Sequence, residues 1–433
     1  MKVLVVGSGA REHALSWKLA QSPSLTELHA VPGNPGIAEH ATCHPKVQAR
    51  DIDAITALAE KLGIDLVIVG PEAPLVDGLS NRLKKHGIAC CGPSASGARL
   101  EGSKVYAKEL MDRAQVPTAR WEAFSDVQAA LAAINRWRGP VVIKADGIAG
   151  GRGTFVCMTK VQAERALQAL LVDSAYGVAG RRIVVEEFLQ GIEASITVIT
   201  DGETVLPLHV VRSEKRRDVN DAGPNTDGMG AWLPVEELYE QQIEEAIDAG
   251  IKPALADYAQ RGMHYVGVLY ADVMFTKTGP KVLEYNCRFG DLEVQSMVRT
   301  MGDDDLLDLL NRAATGTLSE AELQDPTCAA AAVALVASDY PANEKSDTIT
   351  AIAGLADAAA TSEDVEIFLG NVEVTGKGKA KGMGATGGRV LTVTAVADTV
   401  EAAAAKAQEA AALISFEGMH RREDIAANAG IFA

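Results

Sequence analysis

Apolar residues fall in short unbroken runs that alternate with longer amphipathic stretches along most of the chain. Val3-Leu4-Val5-Val6, Leu66-Val67-Ile68-Val69 and Val141-Val142-Ile143 are runs of strand length, each closed by glycine or a charged residue. Strands apolar on both faces belong to sheets covered on both sides. Helical spacing follows the first run, from Ala10 to about Gln21. The alternation predicts a parallel, doubly wound αβ sheet at the N-terminus. Its strand ends run into Gly7-Ser8-Gly9, Pro32-Gly33-Asn34-Pro35-Gly36 and Gly70-Pro71-Glu72, along one carboxyl edge. Open sheets bind ligands at that edge.

The turn Gly7-Ser8-Gly9 exposes backbone N–H groups at a positive helix end, which suits a phosphate. The dinucleotide fingerprint needs a third glycine where Glu12 stands, so a smaller phosphate ester is expected. Turns that only reverse the chain account equally well for Pro32–Gly36. Glu72, closing a wholly apolar strand, argues more for a site.

Further along, Lys144 ends a buried strand and is followed by Ile148-Ala149-Gly150-Gly151-Arg152-Gly153. A lysine there is costly to leave unpaired, and a polyphosphate would pair it. Main-chain donors of the glycine loop would then fold over the phosphates. A glycine hairpin beside a snorkelling lysine is the plainer alternative. The strand Arg182–Leu189 ends in Glu186-Glu187-Phe188-Leu189, which can offer backbone groups to adenine, with Glu193 available for ribose hydroxyls.

The apolar run Lys281–Leu283 leads into Glu284-Tyr285-Asn286, and a strand's two-residue period puts Glu284 and Asn286 on one face. Hard cations take oxygen ligands, typically one or two carboxylates plus substrate phosphates. Glu284-x-Asn286 therefore reads as a metal-phosphate station; an edge strand with solvated side chains is the alternative. The basic run Arg212–Arg217 is expected in a solvated loop. Gly223–Gly230 is too glycine-rich for a helix or strand and is expected as a loop over an active site. Pro234–Gln260 reads as one or two amphipathic helices, Tyr265–Phe275 as a strand carrying Asp272, and Asp303–Ala314 as a helix with an acidic start. From about Asp325 the texture becomes Ala/Val-rich, with a glycine-lysine stretch at Gly376–Gly388 and an alanine-rich helix at Thr399–Ile414. A separate αβ unit with little chemistry of its own is expected there.

At 433 residues the chain exceeds one ordinary core, so several domains are expected. A net charge of −17 excludes nucleic acid or an anionic membrane as the main partner. It leaves room for a phosphorylated substrate held by backbone amides and a few local cations. The six cysteines are scattered without metal-binding spacing, and neither a secretion signal nor a run of ~20 apolar residues is present. Reduced thiols in a cytoplasm are expected.

Lys104, the Lys144 strand with its glycine loop, Glu186-Glu187 and Glu284-x-Asn286, in that order, resemble the ATP-grasp ligases. Longer strings are similar to one branch of them, the phosphoribosylamine–glycine ligases (glycinamide ribonucleotide synthetases) of purine biosynthesis. These are Gly7-x-Gly9-x-Arg11-Glu12-His13-Ala14-Leu15, Gly70-Pro71-Glu72-Ala73-Pro74-Leu75-Val76, Leu100–Lys104, Ile143–Gly147, Gly223–Thr226, Asn286–Asp291 and Gly387–Leu391. The resemblance covers nearly the whole chain. It implies a mixed α/β and α+β architecture in three parts. A Rossmann-like (pre-ATP-grasp) domain would span 1–103, an ATP-grasp domain 104–325 with a mobile small subdomain at about 120–190, and a small α/β domain 326–433.

The resemblance further implies ATP between the grasp subdomains, with Lys104 and Lys144 on its phosphates and Gly150, Gly151, Arg152 and Gly153 closing over them. Glu186, Glu187, Phe188, Leu189 and Glu193 would surround adenosine. Glu284 and Asn286 would hold Mg²⁺ or Mn²⁺. Gly7, Ser8, Gly9, Asn34, Gly70, Pro71, Glu72, Asn225 and Gly228 would line the phosphoribosylamine site. Arg288 and Asp291 would hold glycine's carboxylate and amino group and, with Lys144, form the catalytic set. Partners would be small molecules only, with no nucleic acid and no membrane, in a monomer or homodimer. The chain departs from the family's usual strings at Ser213 (aspartate expected), Asp227 (glycine), Leu292 (proline) and Asp272 (glycine). Asp272 would restore a second metal carboxylate seen in other ATP-grasp enzymes. Drift within an ordinary purine enzyme and a paralogue joining another acid or amine both fit these changes. A nucleotide-binding protein without turnover is a third reading, against which Lys104, Lys144, Glu284 and Asn286 speak.

Overall fold

The computed structural model describes every residue except Gly151, Glu344, Asp347, 377–381, Asn428, Gly430 and 431–433. Gly151 of the glycine loop and part of the glycine-lysine stretch thus lie outside the described residues. Five parallel strands form the first sheet in the order Thr42–Cys43, Glu27–Pro32, Lys2–Gly7, Leu66–Val69, Ala89–Cys91. Lys2–Gly7 takes the centre because Val3–Val6 are apolar towards both faces and fully buried. Chain order reverses between Lys2–Gly7 and Leu66–Val69, so Gly7 and Gly70 end side by side at the crevice of the sheet.

Residues 121–187 build a small antiparallel sheet in the order Trp121–Phe124, Ile183–Glu187, Val141–Ala145, Thr154–Cys157. Helices Val127–Trp137 and Lys160–Leu167 back it, started by Asp126 and Thr159, whose side chains accept from Ala129 and Gln162 N–H. Ala130 and Ile134 close the core against Val141, Ile143 and Ile183. A second antiparallel sheet, Val205–Pro207, Ile192–Thr200, Gly267–Thr276, Gly279–Asn286, carries the candidate metal strand at its edge. Glu240–Ala246, Ile247–Ile251 and Lys252–Gln260 run on as consecutive helical turns.

A five-stranded antiparallel sheet follows the order Arg212–Asp218, Ala222–Leu233, Ala329–Val336, Arg389–Ala397, Val365–Leu369. This corrects two expectations. The basic run at 212–217 is a strand, not a solvated loop, because its partner strand and buried Trp232 and Leu233 fix it. The glycine-rich segment is also a strand. Its Gly230 is required by packing, since a Cβ there would stand 2.4 Å from Ile425. The C-terminal unit shares this sheet with the preceding part of the chain, Ala222–Leu233 pairing with Ala329–Val336. Helix Val400–Leu413 seats Ala403, Ala407 and Ala411 fully buried, their i, i+4 spacing forming one smooth apolar face. Among the described residues no helix is long and apolar enough to cross a membrane.

Candidate active site

The edge of the first sheet, the small antiparallel sheet, the Glu284 strand and the five-stranded sheet meet around a cavity of about 940 Å³. That volume is at the upper end of small-molecule sites and leaves room for a nucleotide beside a second ligand. Glu284 and Asn286 line it from one strand. Lys104 Nζ donates to Glu284 Oε2 at 2.7 Å, and Lys144 Nζ stands 3.9 Å from the same oxygen. Lys144 also donates to the Leu283 carbonyl at 3.1 Å and pairs with Glu186 at 3.2 Å. Protein carboxylates thus compensate the burial of this strand-end lysine.

Local capping sets the two lysines side by side. Ser103 Oγ accepts from Tyr106 N at 3.2 Å at the start of helix Lys104–Arg113 and donates to Asp146 Oδ1 at 2.7 Å. Asp146 Oδ1 accepts Val105 N at 2.9 Å as well, so the loop after Lys144 is clasped to the helix that begins with Lys104. Burial would raise the Glu284 carboxyl, but Lys104, Lys144 and Lys215 outweigh it and hold it well below the usual carboxylate range. A fixed carboxylate with an amide two residues on is a donor set for a hard divalent cation. Among the described residues no group of three or more His, Cys, Asp or Glu is placed to hold a metal. Phosphate oxygens and water would therefore complete the shell.

Asp272 lies opposite Glu284 in the antiparallel pairing, yet its carboxylate is engaged elsewhere. Oδ1 accepts from Tyr270 at 2.6 Å and Ser195 at 3.1 Å, while Oδ2 meets Lys215 at 2.7 Å. Lys215 also reaches Glu193 at 2.6 Å. Burial alone would lower the Lys215 pKa; Asp272 and Glu193 reverse this and keep it a cation. Sequence reasoning missed Lys215 by assigning its segment to a loop. Read as a strand, the two-residue period would have put Lys215 on one face with Ser213, which also lines the cavity.

The glycine turn of the first sheet is filled from within. Glu12 folds back so that Oε2 accepts from Gly9 N at 2.6 Å while Oε1 pairs with Arg11 at 2.6 Å. A Cβ on Gly7 would stand 2.5 Å from the Glu12 side chain, and one on Gly70 1.9 Å from its Oε1. These glycines make room for a carboxylate that the helix N-terminus favours. Gly9 and Glu72 line the cavity, whereas Gly7, Ser8, Gly70 and Pro71 do not. Asn34 donates to the carbonyls of Ser8 at 2.9 Å and Leu369 at 2.6 Å, tying the sheet edge to the C-terminal unit. Gly228 lies under Leu292, whose Cδ1 would be 2.7 Å from an added Cβ. Asn225, Gly150 and Gly153 line the cavity, and Arg152 donates to the Ala342 carbonyl at 3.1 Å. Glu187, Phe188, Leu189 and Glu193 line it too; Glu186 does so with its carboxylate turned between Lys108 and Lys144, 3.2 Å from each.

On the opposite wall Arg389 Nη2 donates to Asp291 Oδ2 at 2.7 Å, and Gln295 Nε2 to Oδ1 at 2.7 Å. Arg389 Nη1 donates to the carbonyls of Asp227 at 2.7 Å and Asp291 at 2.8 Å. Burial would raise Asp291; Arg389, Arg11 and Arg288 more than cancel it and keep the carboxylate ionised. Arg288 meets Glu101 at 2.7 Å and Glu72 at 3.7 Å. Arg389 comes from the part of the chain expected to carry little chemistry, which is a further correction. Its signal was the arginine after two adjacent glycines, Gly387 and Gly388, at a strand start.

Comparison with known proteins extends over nearly the whole chain. Models of the phosphoribosylglycinamide synthetase N domain, ATP-grasp (A) domain and C domain match residues 1–101, 102–294 and 330–428. A phosphoribosylamine–glycine ligase of Mesorhizobium japonicum is 42% identical over 425 residues, covering 98% of this chain and 97% of the relative. The crystal structure of phosphoribosylamine–glycine ligase from Thermotoga maritima superposes with a TM-score of 0.80 at 31% identity, covering 98% of this chain and 100% of that one. The biotin carboxylase domain of the Hydrogenobacter thermophilus 2-oxoglutarate carboxylase, crystallised with MgADP, shares the fold alone, with a TM-score of 0.73 at 18% identity over 97% of this chain and 91% of that one. With three domain models matched in order and a relative aligned from end to end, the chain belongs to the phosphoribosylglycinamide synthetase family, whose middle domain is an ATP-grasp.

Proposed function

We propose that the chain joins glycine to 5-phosphoribosylamine at the expense of ATP, giving glycinamide ribonucleotide, ADP and phosphate. The observation that carries this reading is that the Lys104–Glu284–Lys144 cluster and the Asp291–Arg389 pair open on one cavity. A group activated at the first is within reach of a substrate held at the second. Lys104 and Lys144 supply fixed positive charge for the ATP phosphates, and the main chain at Glu187–Leu189 borders the nucleobase end. Glu284 and Asn286 would hold a divalent cation, Mg²⁺ or Mn²⁺, which when bound supplies a Lewis acid that neutralises phosphate charge. The buried Arg288 Nε has no hydrogen-bond partner among the described residues and is a donor for glycine's carboxylate; Asp291, kept anionic, suits its ammonium group.

In the first step a glycine carboxylate oxygen takes the γ-phosphoryl group and ADP leaves. In the second the substrate amine attacks the acyl carbon, the bond to the phosphate oxygen breaks, and the amine proton is lost to solvent. The chain supplies position and preorganised charge, with no covalent enzyme intermediate. Its six cysteines are free, in keeping with a cytoplasmic setting. ADP release measured with glycine, phosphoribosylamine and a panel of other amino acids tests the proposal. Release should need both named substrates; faster release with another amino acid, or release that ignores the amine, overturns it.

A further inference from the structure

From the protein core to the cavity five side chains form a single row of alternating charge: Lys108, Glu186, Lys144, Glu284, Lys104. Lys108 Nζ lies 3.2 Å from Glu186 Oε1, and Lys144 Nζ lies 3.2 Å from Glu186 Oε2. Lys144 is 3.9 Å and Lys104 2.7 Å from Glu284 Oε2. The inner end is dry: Lys108 and Glu186 are each 2% exposed. Lys108 directs its hydrogen bond at Thr118 Oγ1, 2.6 Å away, and Thr118 passes one on to the Val282 carbonyl at 2.6 Å on the Glu284 strand. Glu186 Oε1 meets Lys108 as an ion pair at 3.2 Å.

We propose that Lys108, which does not line the cavity, is a positioning residue for nucleotide binding: it neutralises Glu186 and so leaves the charge of Lys144 free for phosphate. This rests on the ATP site proposed above. Three cations against two carboxylates give the row one net positive charge. Without Lys108 the sum falls to zero, and Glu186 holds Lys144 as a closed pair. In a medium of low effective dielectric a fixed charge of this kind acts well beyond contact distance. A lysine serving the core alone could be replaced by an apolar chain of similar shape, yet here burial is endured beside a carboxylate that ties directly to the cavity. Burial lowers Lys108 to about 8 despite Glu186 and with Lys144 opposing it, so the charge is held at some cost.

The test is calorimetric titration of the full chain with ADP. Lys108→Met should weaken ADP binding about tenfold, and the KM for ATP should rise alike while the KM for glycine stays within about twofold. Lys108→Arg, which keeps the charge, should hold ADP affinity within about threefold of wild type. Unchanged affinity in Lys108→Met, or an equal loss in Lys108→Arg, overturns the proposal. Should Lys108→Met not fold, Lys108→Gln, which removes the charge and keeps a polar end, takes its place and should show the same tenfold loss. Wild-type protein that binds no ADP would instead sink the nucleotide site itself.

Discussion

Replacing Arg389 by methionine isolates the contribution of the C-terminal unit to the acid-binding wall. The guanidinium makes three hydrogen bonds, to Asp291 Oδ2 and to the carbonyls of Asp227 and Asp291, all between 2.7 and 2.8 Å. Methionine keeps most of the side-chain bulk and removes all three. Asp291 would retain Gln295 but lose its main charged partner, and breaking a largely buried pair costs about 3 kcal/mol. If that loss is felt by bound glycine, kcat/KM for glycine falls roughly a hundredfold. ADP affinity should hold within about threefold, because the lysine row lies on the other wall. Arg389→Lys keeps the charge without the two-pronged geometry and should fall between, about tenfold down. Steady-state ADP release at varied glycine, with ADP titration as the control, measures both. An unchanged kcat/KM for glycine, or equal losses for glycine and ADP, would refute the assignment of Arg389 to the acid-binding wall.

Glu284→Ala should abolish turnover and take from Lys104 its 2.7 Å carboxylate partner; near-wild-type rates in the ADP-release assay would remove Glu284 from the site. Burial, with Asp221 adding to it and Arg422 opposing, pushes the Glu214 carboxyl up to about 7 from an ordinary 4.5. The folded state then binds that proton more tightly than the unfolded chain. The stability it contributes is full below the unfolded value and lost as pH rises through about 7. The melting temperature of Glu214→Gln should therefore lack the decline that wild type shows between about pH 5 and 8, and parallel curves would contradict this. Asn34→Ala should cost about 1–2 kcal/mol of stability by freeing two carbonyls, with the KM for phosphoribosylamine within about twofold; a tenfold rise in that KM would instead place Asn34 against substrate. Ser213→Asp alone should destabilise the protein, and Asp272→Gly alone should do so too. The double change should recover about 1–3 kcal/mol of the summed loss in denaturant titrations, and strict additivity would deny the coupling.

Much of the scaffold was legible because local chemistry and tertiary packing agree. Val3–Val6 and Leu66–Val69 are apolar on both faces and sit in the centre of a parallel sheet. Thr399 caps the alanine-rich helix where the pattern starts it. The Glu284-x-Asn286 spacing needs only the strand period to put both residues at the cavity. The hairpin of residues 212–233 was illegible because what stabilises it is distant in sequence. Arg422 reaches the Arg216 carbonyl and Asp221, Arg217 reaches the Tyr340 carbonyl, and Ile425 covers Gly230. No local propensity reports such partners. Arg389 was missed as a site residue for the same reason, its carboxylate partner lying 98 positions away. The glycine turn shows the converse: its residues matched a phosphate cradle, and only the fold of Glu12 shows that a side chain occupies it.

The four departures from the family's usual strings form a connected set in space. Ser213 lies two positions before Lys215 on the same strand; Asp272 is an ion-pair partner of Lys215; Leu292 covers Gly228; Asp227 lends its carbonyl to Arg389. Burial raises the Glu293 carboxyl, the Asp272 charge adds to the rise, and Lys215 opposes it. A second carboxylate at 213 would crowd three acids around a single lysine. With serine at 213 and aspartate at 272, Lys215 keeps two carboxylates, Glu193 and Asp272, both supplied from the sheet that carries Glu284. An acid absent on one side of Lys215 and present on the other leaves the local charge unchanged. Asp291, proposed above for glycine's ammonium group, stays paired with Arg389 at 2.7 Å. The altered positions therefore read as compensated drift around a retained cation, and a ligase still selecting a small amino acid is what that geometry supports.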